Sequence, residues 1–150
     1  ANVYPTRELL ARCQQNQHIK ICRHCNTNHE TCSYITGKCP VTQEARIRKH
    51  NDICNLLTKA AQQENWTVFH EPHRRENTRQ LFKPDLLFVK ENQAYVMLDV
   101  TIRYKWHNNS LQKAAEEKVK KYQHLQSEIQ EVTTDTKIIG FPIGARGKWH

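Results

Sequence analysis

With 150 residues, the chain has room for one modest hydrophobic core and a small appendage, not for two full domains. Its formal net charge of +8 at pH 7 and pI near 9.3 point to a polyanionic partner, and charge by itself leaves nucleic acid and an acidic membrane surface both open. No apolar run approaches the length of a membrane span and no apolar signal-peptide core opens the chain, so a soluble, intracellular protein is expected; the start, without Met, reads as the edge of a piece cut from a longer polypeptide.

The cysteines divide the chain in two. Cys13, Cys22, Cys25, Cys32, Cys39 and Cys54 all fall within residues 13–54. Cys22-Arg23-His24-Cys25 is a CxxC hook whose thiolates can share one tetrahedral Zn²⁺, and a second ligand pair a short loop later closes such a site. Cys22, Cys25 and Cys39 are the firm ligands, Cys32 and His29 compete for the fourth place, and Cys13 and Cys54 are left as buried or free thiols. An even cysteine count also permits disulfides, but the tight clustering and the lack of a secretory signal favour zinc. Residues 1–60 hold nine Lys/Arg against four Asp/Glu, whereas 61–110 hold seven against six and 111–150 seven against five. The N-terminal part is therefore the more obvious footprint for phosphates.

After this knuckle the chain reads as one α/β unit. A helix starts at Pro40-Val41-Thr42 and runs to about residue 64, with Ile47, Cys54, Leu57 and Ala61 on its apolar stripe and Arg46, Arg48, Lys49 and Lys59 mainly off it. Residues 66–70 alternate like a strand, ended by Glu71-Pro72, and a basic loop with His73, Arg74, Arg75, Arg79 and Lys83 follows. Two strands then come on either side of a Glu91-Asn92-Gln93 loop. If they form a hairpin, Lys90 faces Ala94 and Asp85 faces Asp99, with β-carbons about 5 Å apart. Two carboxylates so placed repel unless a cation sits between them, and hard oxygen ligands suit Mg²⁺. The plainer reading is that both aspartates end their strands at the solvent edge.

Ser110 is placed to cap a helix from 111 to about 131, with Glu116 and Lys120, and Glu117 and Lys121, paired at i,i+4. Its apolar stripe is Leu111, Ala115, position 118, Tyr122, Leu125 and Ile129, and position 118 is Lys118. A lysine there either covers the core with its stem while its head reaches solvent, or points toward the carboxylate edge, where it can orient or deprotonate an attacking water or neutralise charge on a phosphate. Tyr122, one turn on, either holds that lysine or fills the core. Residues 137–141 form a last strand, broken at Pro142 and Gly144.

Pro84-Asp85, then fourteen positions to Asp99, within a helix, three strands, helix and strand, resembles the restriction-endonuclease-like nucleases with a PD…(D/E)xK site. That resemblance implies an α/β fold with a core of order αβββαβ, preceded here by the small zinc knuckle. The chain departs from the pattern at Thr101, where the lysine belongs. It resembles more closely the C-terminal region of site-specific non-LTR (LINE-type) retrotransposons with a restriction-like endonuclease, including those inserting into ribosomal RNA genes. There the following helix supplies the lysine in a KxxKY element, which Lys118-Val119-Lys120-Lys121-Tyr122 matches. Tyr4-Pro5-Thr6-Arg7, Cys22-Arg23-His24-Cys25, Glu30-Thr31, Cys39-Pro40, Arg48-Lys49-His50, Glu71-Pro72, Lys83-Pro84-Asp85-Leu86, Asp99-Val100 and residues 144–149 also look like its landmarks, in order. The family's knuckle is CCHC, and its histidine position is here Tyr34, which does not ligate zinc in the usual way, so either Cys32, which needs only a local loop shift, or His29 substitutes, or the site holds zinc weakly or not at all.

The resemblance implies a linker from an upstream polyprotein over 1–19, a zinc knuckle over 20–40 and a restriction-like endonuclease domain over 41–150. It implies a Mg²⁺- or Mn²⁺-dependent endodeoxyribonuclease that nicks target DNA, so that the exposed 3′-hydroxyl primes reverse transcription of the element's RNA. Asp85 and Asp99 would hold the Mg²⁺; Lys118, Lys121 and Tyr122 would complete the catalytic site, and Glu71, a carboxylate at a strand end before proline, is either an accessory ligand or, more often for such a position, structural. Arg46, Arg48, Lys49, Arg74, Arg75, Arg79, Arg103 and Lys105 are the expected DNA contacts. Further expectations are a reverse transcriptase upstream in the same polypeptide, element RNA bound through that parent protein, nuclear localisation and no membrane partner. The rival class is a catalytically inactive nucleic-acid-binding module that uses only the knuckle and the basic helix.

Overall fold

The structure, a computed structural model, describes residues 4–14, 20–72, 74–75, 81–91, 93–104, 109–124, 126, 130 and 135–145. Leu86, Leu87 and Phe88 are buried in unbroken succession, which a strand achieves only when both of its faces are covered. They belong to β4 (Leu86–Lys90), at the middle of a four-stranded sheet ordered β1-β4-β5-β6, with β1 at Thr67–His70, β5 at Gln93–Arg103 and β6 at Asp135–Gly144. β1, β4 and β5 are antiparallel neighbours, whereas β6 runs parallel to β5 and needs a crossover. That crossover carries a helix that, with the other helices numbered in chain order, is α4 (Ser110–Tyr122), after α1 (Arg7–Gln14), α2 (Cys32–Gly37) and α3 (Gln43–Gln63). A separate ribbon pairs β2 (Arg74–Arg75) with β3 (Leu81–Phe82). Among the described residues the protein is mixed α/β with two small sheets.

The two faces of the main sheet bury two clusters. Leu86, Phe88 and Val100 pack with Cys54 of α3, alongside Ile53, Leu57, Ala61, Trp66, Val68 and Phe141. Leu87 and Val96 pack with Tyr122 of α4, alongside Val89 and Ile138. The sheet is thus sandwiched between α3 and α4. Each fully buried Leu or Phe contributes about 1.5–3 kcal/mol, so these few side chains hold both helices to the sheet.

The hairpin register differs from expectation by one residue. Lys90 pairs with Gln93 and Leu86 with Met97, so Gln93 belongs to the strand; Glu91 turns the chain with φ 52°. Continued regularly, this pairing sets Asp85 opposite Leu98 and turns Asp99 to the other face. The parallel register with β6 shifts there, from Met97 with Ile139 to Asp99 with Gly140, leaving Leu98 without a counterpart. This is a β-bulge. Its effect shows in the packing: Val96 and Val100, four residues apart, lie in different clusters on opposite faces. The bulge thereby returns Asp99 to the α4 side.

Other expectations shift as well. Pro40–Thr42 is a separate 3-10 turn ahead of α3, and Ile47 is exposed, off the face that Ile53, Cys54, Leu57 and Ala61 bury. Ser110 lies inside α4, whose N-cap is Asn109; α4 ends at Tyr122 and a turn follows at Gln123 and His124, while Gln126 and Gln130 are again helical and the other positions of the expected helix up to 131 lie outside the described residues. β6 continues through Pro142, because an edge strand pairs on one side only and tolerates the missing N–H on the other. Within the segment expected as a linker, α1 is attached to the knuckle: the Arg7 amide donates to Glu30 Oε1 at 3.0 Å, and Thr6 and Ala11 are buried.

Candidate active site and metal centre

Asp85 follows buried Pro84 at the start of β4, where its main-chain oxygen accepts the Glu71 amide at 2.9 Å. Its Oδ2 accepts the Val100 amide at 2.6 Å, which ties the carboxyl to β5 just past the bulge. Its Oδ1 lies 3.6 Å from His50 Nε2 of α3. The other ring nitrogen, Nδ1, donates to the Val100 carbonyl at 2.9 Å, since a carbonyl can only accept. Burial pushes the Asp85 pKa up, the Val100 amide opposes that shift and the Asp99 carboxylate adds to it. Below them the Cys54 thiol rises to about 11, through burial and then the carboxylates of Asp85, Glu71 and Asp99.

Lys118 Nζ is hydrogen-bonded and ion-paired with Asp99 Oδ2. The lysine interrupting the apolar stripe therefore points at the carboxylate edge. α4 can lie this low because β6 carries Gly140 opposite Asp99: a Cβ at Gly140 would stand 2.8 Å from the Ala115 carbonyl oxygen and 3.0 Å from its Cα. Lys118 is one turn further along the same helix. Lys121 is exposed, its ammonium 4.9 Å from the centre of the Tyr122 ring, and Tyr122 is buried against Leu87 and Val96. Asp99 and Lys118 thus meet, with Asp85 held beside them by the Val100 amide, while Lys121 is exposed and Tyr122, one turn on from Lys118, is packed into the core. Glu71 is exposed with φ 42° beside Asp85.

In the knuckle, Cys22, Cys25 and Cys39 place their sulfurs within 4.8 Å of one another, the only group of three or more potential metal ligands so gathered among the described residues. Cys22 Sγ and Cys39 Sγ are 4.0 Å apart, close to the separation of about 3.8 Å that Zn–S bonds of 2.3 Å impose in a tetrahedron. The group can bind zinc. Cys32 and His29 lie outside it: Cys32 opens α2, and His29 is exposed and bridges to Ile21. The expected loop shift at Cys32 does not occur because 32–37 is helical, with Thr31 Oγ1 accepting the Tyr34 amide at 2.9 Å. Tyr34 Oη instead lies 3.1 Å from Cys25 Sγ, and the Thr27 hydroxyl lies 3.1 Å from the same sulfur. Those hydroxyls, Thr27 before Tyr34, lower the Cys25 pKa to about 6. Burial raises that of Cys39. Cys54 is a buried free thiol, and the side chain of Cys13 lies outside the described residues.

Two of the expected DNA contacts also have structural partners. Arg46 Nη1 donates to the Cys39 carbonyl and Thr42 Oγ1, both at 2.8 Å, and Lys49 Nζ donates to the Ala145 carbonyl at 2.9 Å. Arg48 is exposed. Arg74 and Arg75 form β2 and Arg103 ends β5, with side chains outside the described residues, as are Arg79 and Lys105 altogether. His50 and Gly140 were given no role from the sequence. Signals for both exist: a histidine one turn before Cys54 on the buried face of α3, and a glycine interrupting an apolar strand.

Set against known proteins, the chain is 32% identical over 105 residues, 70% of its length, to a retrovirus-related Pol polyprotein from the type-1 retrotransposable element R2 of Popillia japonica. The chain is homologous to R2 retrotransposon Pol polyproteins. A second R2 Pol polyprotein of Popillia japonica is 29% identical over 99% of the chain, and one from Nasonia vitripennis is 27% identical over 67%. The matches cover 15%, 30% and 10% of these R2 relatives. The chain therefore corresponds to a minor part of an R2-type, non-LTR polyprotein. No protein-family model matches it.

Proposed function

We propose that the chain is the zinc-knuckle and endonuclease part of a non-LTR retrotransposon polyprotein, nicking target DNA so that the new 3′-hydroxyl primes reverse transcription of the element's RNA. The observation that carries this reading is that two carboxylates and one ammonium, from the start of β4, from β5 and from α4, gather at one end of the central strands. The order α3, β1, β4, β5, α4, β6 of the main unit supports a restriction-endonuclease-like core. The R2 relatives support a retrotransposon context. In the proposed setting the reverse transcriptase lies upstream in the same polypeptide, the parent protein binds the RNA, and the work is done in the nucleus. No helix among the described residues is long and apolar enough to cross a membrane.

The donor set at the edge fits a hard divalent cation: Asp85 and Asp99 are partly exposed carboxylates, leaving other positions to water and phosphate oxygens. When bound there, Mg²⁺ or Mn²⁺ supplies Lewis acidity at the phosphate and a more acidic water. The Val100 amide and His50 hold Asp85 in place. Lys118 keeps a positive charge where phosphate charge builds during in-line displacement, doing from the helix what Thr101 cannot do from the strand. Cys22, Cys25 and Cys39 would hold Zn²⁺ as a structural brace. Exposed Arg48 and the arginines of β2 would carry phosphate contacts.

A supercoiled-plasmid nicking assay with and without Mg²⁺ tests the reading. Asp85→Ala or Asp99→Ala should abolish nicking and leave DNA affinity equal or higher, since removing negative charge does not weaken attraction to phosphates. Wild-type nicking by either variant refutes the site. A wild-type chain that binds DNA and never nicks with any divalent metal favours the binding-module class.

A further inference from the structure

We propose that the knuckle metal is closed by the phenol oxygen of Tyr34, in a site of three thiolates and one tyrosine from which Cys32 and His29 are both excluded. The inference rests on the zinc assignment above and deepens it. Three thiolates from Cys22, Cys25 and Cys39 leave one corner of a tetrahedron to fill. Tyr34 Oη and Thr27 Oγ1 both lie 3.1 Å from Cys25 Sγ, and of the two the phenol, far more acidic than an alcohol, is the one suited to ligate the metal as an anion. Sulfur and oxygen ligands at zinc bond lengths of 2.3 and about 2.0 Å stand roughly 3.5 Å apart, so the Tyr34–Cys25 separation is near that of two ligands on one zinc.

Helix geometry excludes the sulfur alternative. Cys32 and Tyr34 are both in α2, and two positions along a helix turn the side-chain direction by about 200°. With Tyr34 directed at Cys25, Cys32 is turned away from the thiolates. Rotating α2 to reverse this would break several bonds at once: the Tyr34 amide to Thr31 Oγ1, and the Lys38 and Cys39 amides to the Tyr34 carbonyl at 2.8 and 2.9 Å. The last of these joins Tyr34 directly to a metal-ligand residue, so Tyr34 and Cys39 move as one piece. His29 is excluded by its exposed position in the bridge to Ile21. Thr27 Oγ1, 2.9 Å from Tyr34 Oη and 3.1 Å from Cys25 Sγ, is the outer partner that orients both. On metal binding the phenol proton leaves to solvent together with those of the thiols.

The test uses the full chain, metal-depleted and titrated with Zn²⁺ and Co²⁺, read by metal content, X-ray absorption at the zinc edge, ultraviolet difference absorption and chelator competition. Expected are one zinc per chain with a three-sulfur, one-oxygen shell, and a tyrosinate difference band on metal addition that Tyr34→Phe removes. Tyr34→Phe should also weaken zinc by at least about tenfold, the lower end of what losing a metal-site partner costs, and Tyr34→His should restore or exceed wild-type affinity. Cys32→Ser and His29→Ala should leave shell and affinity unchanged. A four-sulfur shell, or metal loss in Cys32→Ser or His29→Ala, overturns the proposal in favour of that residue. A three-sulfur, one-oxygen shell with no tyrosinate band, and unchanged affinity in Tyr34→Phe, overturns it in favour of water. A wild-type chain that binds no zinc overturns the zinc assignment and this inference together.

Discussion

Replacing Gly140 by alanine tests how α4 is held over the carboxylates. The added Cβ would stand 2.8, 3.0 and 3.2 Å from the oxygen, Cα and carbonyl carbon of Ala115. All three are main-chain atoms, so no side-chain rotation relieves the contact. Restoring ordinary separations of 3.5–4.0 Å moves the helix outward by roughly 0.7–1 Å. Overpacking of this kind costs about 1–3 kcal/mol, and each kcal/mol lowers the Tm of a chain this size by about 2–4 °C. The same movement carries Lys118 away from Asp99, and a displacement near 1 Å at a reacting centre can cost about 10²-fold in rate. Gly140→Ala should therefore lower Tm and, at temperatures where it is fully folded by circular dichroism, still nick plasmid 10- to 100-fold more slowly, as estimated from that displacement. Ala115→Gly should not rescue it, because the side chain of Ala115 is not what the new Cβ meets. A Gly140→Ala protein with wild-type Tm and wild-type nicking refutes both the close approach and its role in placing Lys118.

Three further outcomes are expected. Lys118→Ala should reduce nicking by about 10²-fold or more, whereas Lys121→Ala, exposed over Tyr122, should change it little; single-turnover rates showing the reverse order would mean that Lys121 acts. His50→Ala should lower kcat with little change in DNA affinity, because the imidazole contacts Asp85 and Val100 rather than the surface, and a change in Kd alone by fluorescence anisotropy counts against that role. In the knuckle, burial raises the Glu30 pKa, but the Arg23 side chain and the Arg23 and Arg7 amides outweigh it and hold it near 2. A depressed carboxylate pKa stabilises fully above the ordinary value of 4.5 and loses that stabilisation as pH falls through about 2. The amount is no more than about 3 kcal/mol, since solvent screens the partly exposed Arg23. Glu30→Gln should flatten urea-denaturation midpoints between pH 4.5 and 2, and an undiminished slope would refute the assignment.

Much of this protein is written in local pattern. The apolar run after Asp85, bounded by Pro84 and Glu91, reads as a strand, the 3.6-residue spacing of Cys54, Leu57 and Ala61 makes α3 one-sided, and a CxxC followed by Cys39 marks three sulfurs that the fold does bring together. Lys118 was legible for the same reason, as a charge at the period of an apolar stripe. Such signals need only neighbouring residues. The meeting of Asp85 with Asp99 does not reduce to them: the hairpin register is one residue away from the pattern's suggestion, and the extra residue at Leu98 restores the face that this register loses. That compensation is set by Val96 seating under Tyr122 while Val100 seats over Cys54, contacts between elements far apart in the chain. Likewise, Tyr34 rather than Cys32 faces the thiolates because residues 32–37 close into a helix, His50 gains its place because α3 lies across β5, and Gly140 matters only where another main chain presses on it. Local periodicity marks the faces to be buried, with exceptions such as Ile47, but packing at a distance decides which residues touch.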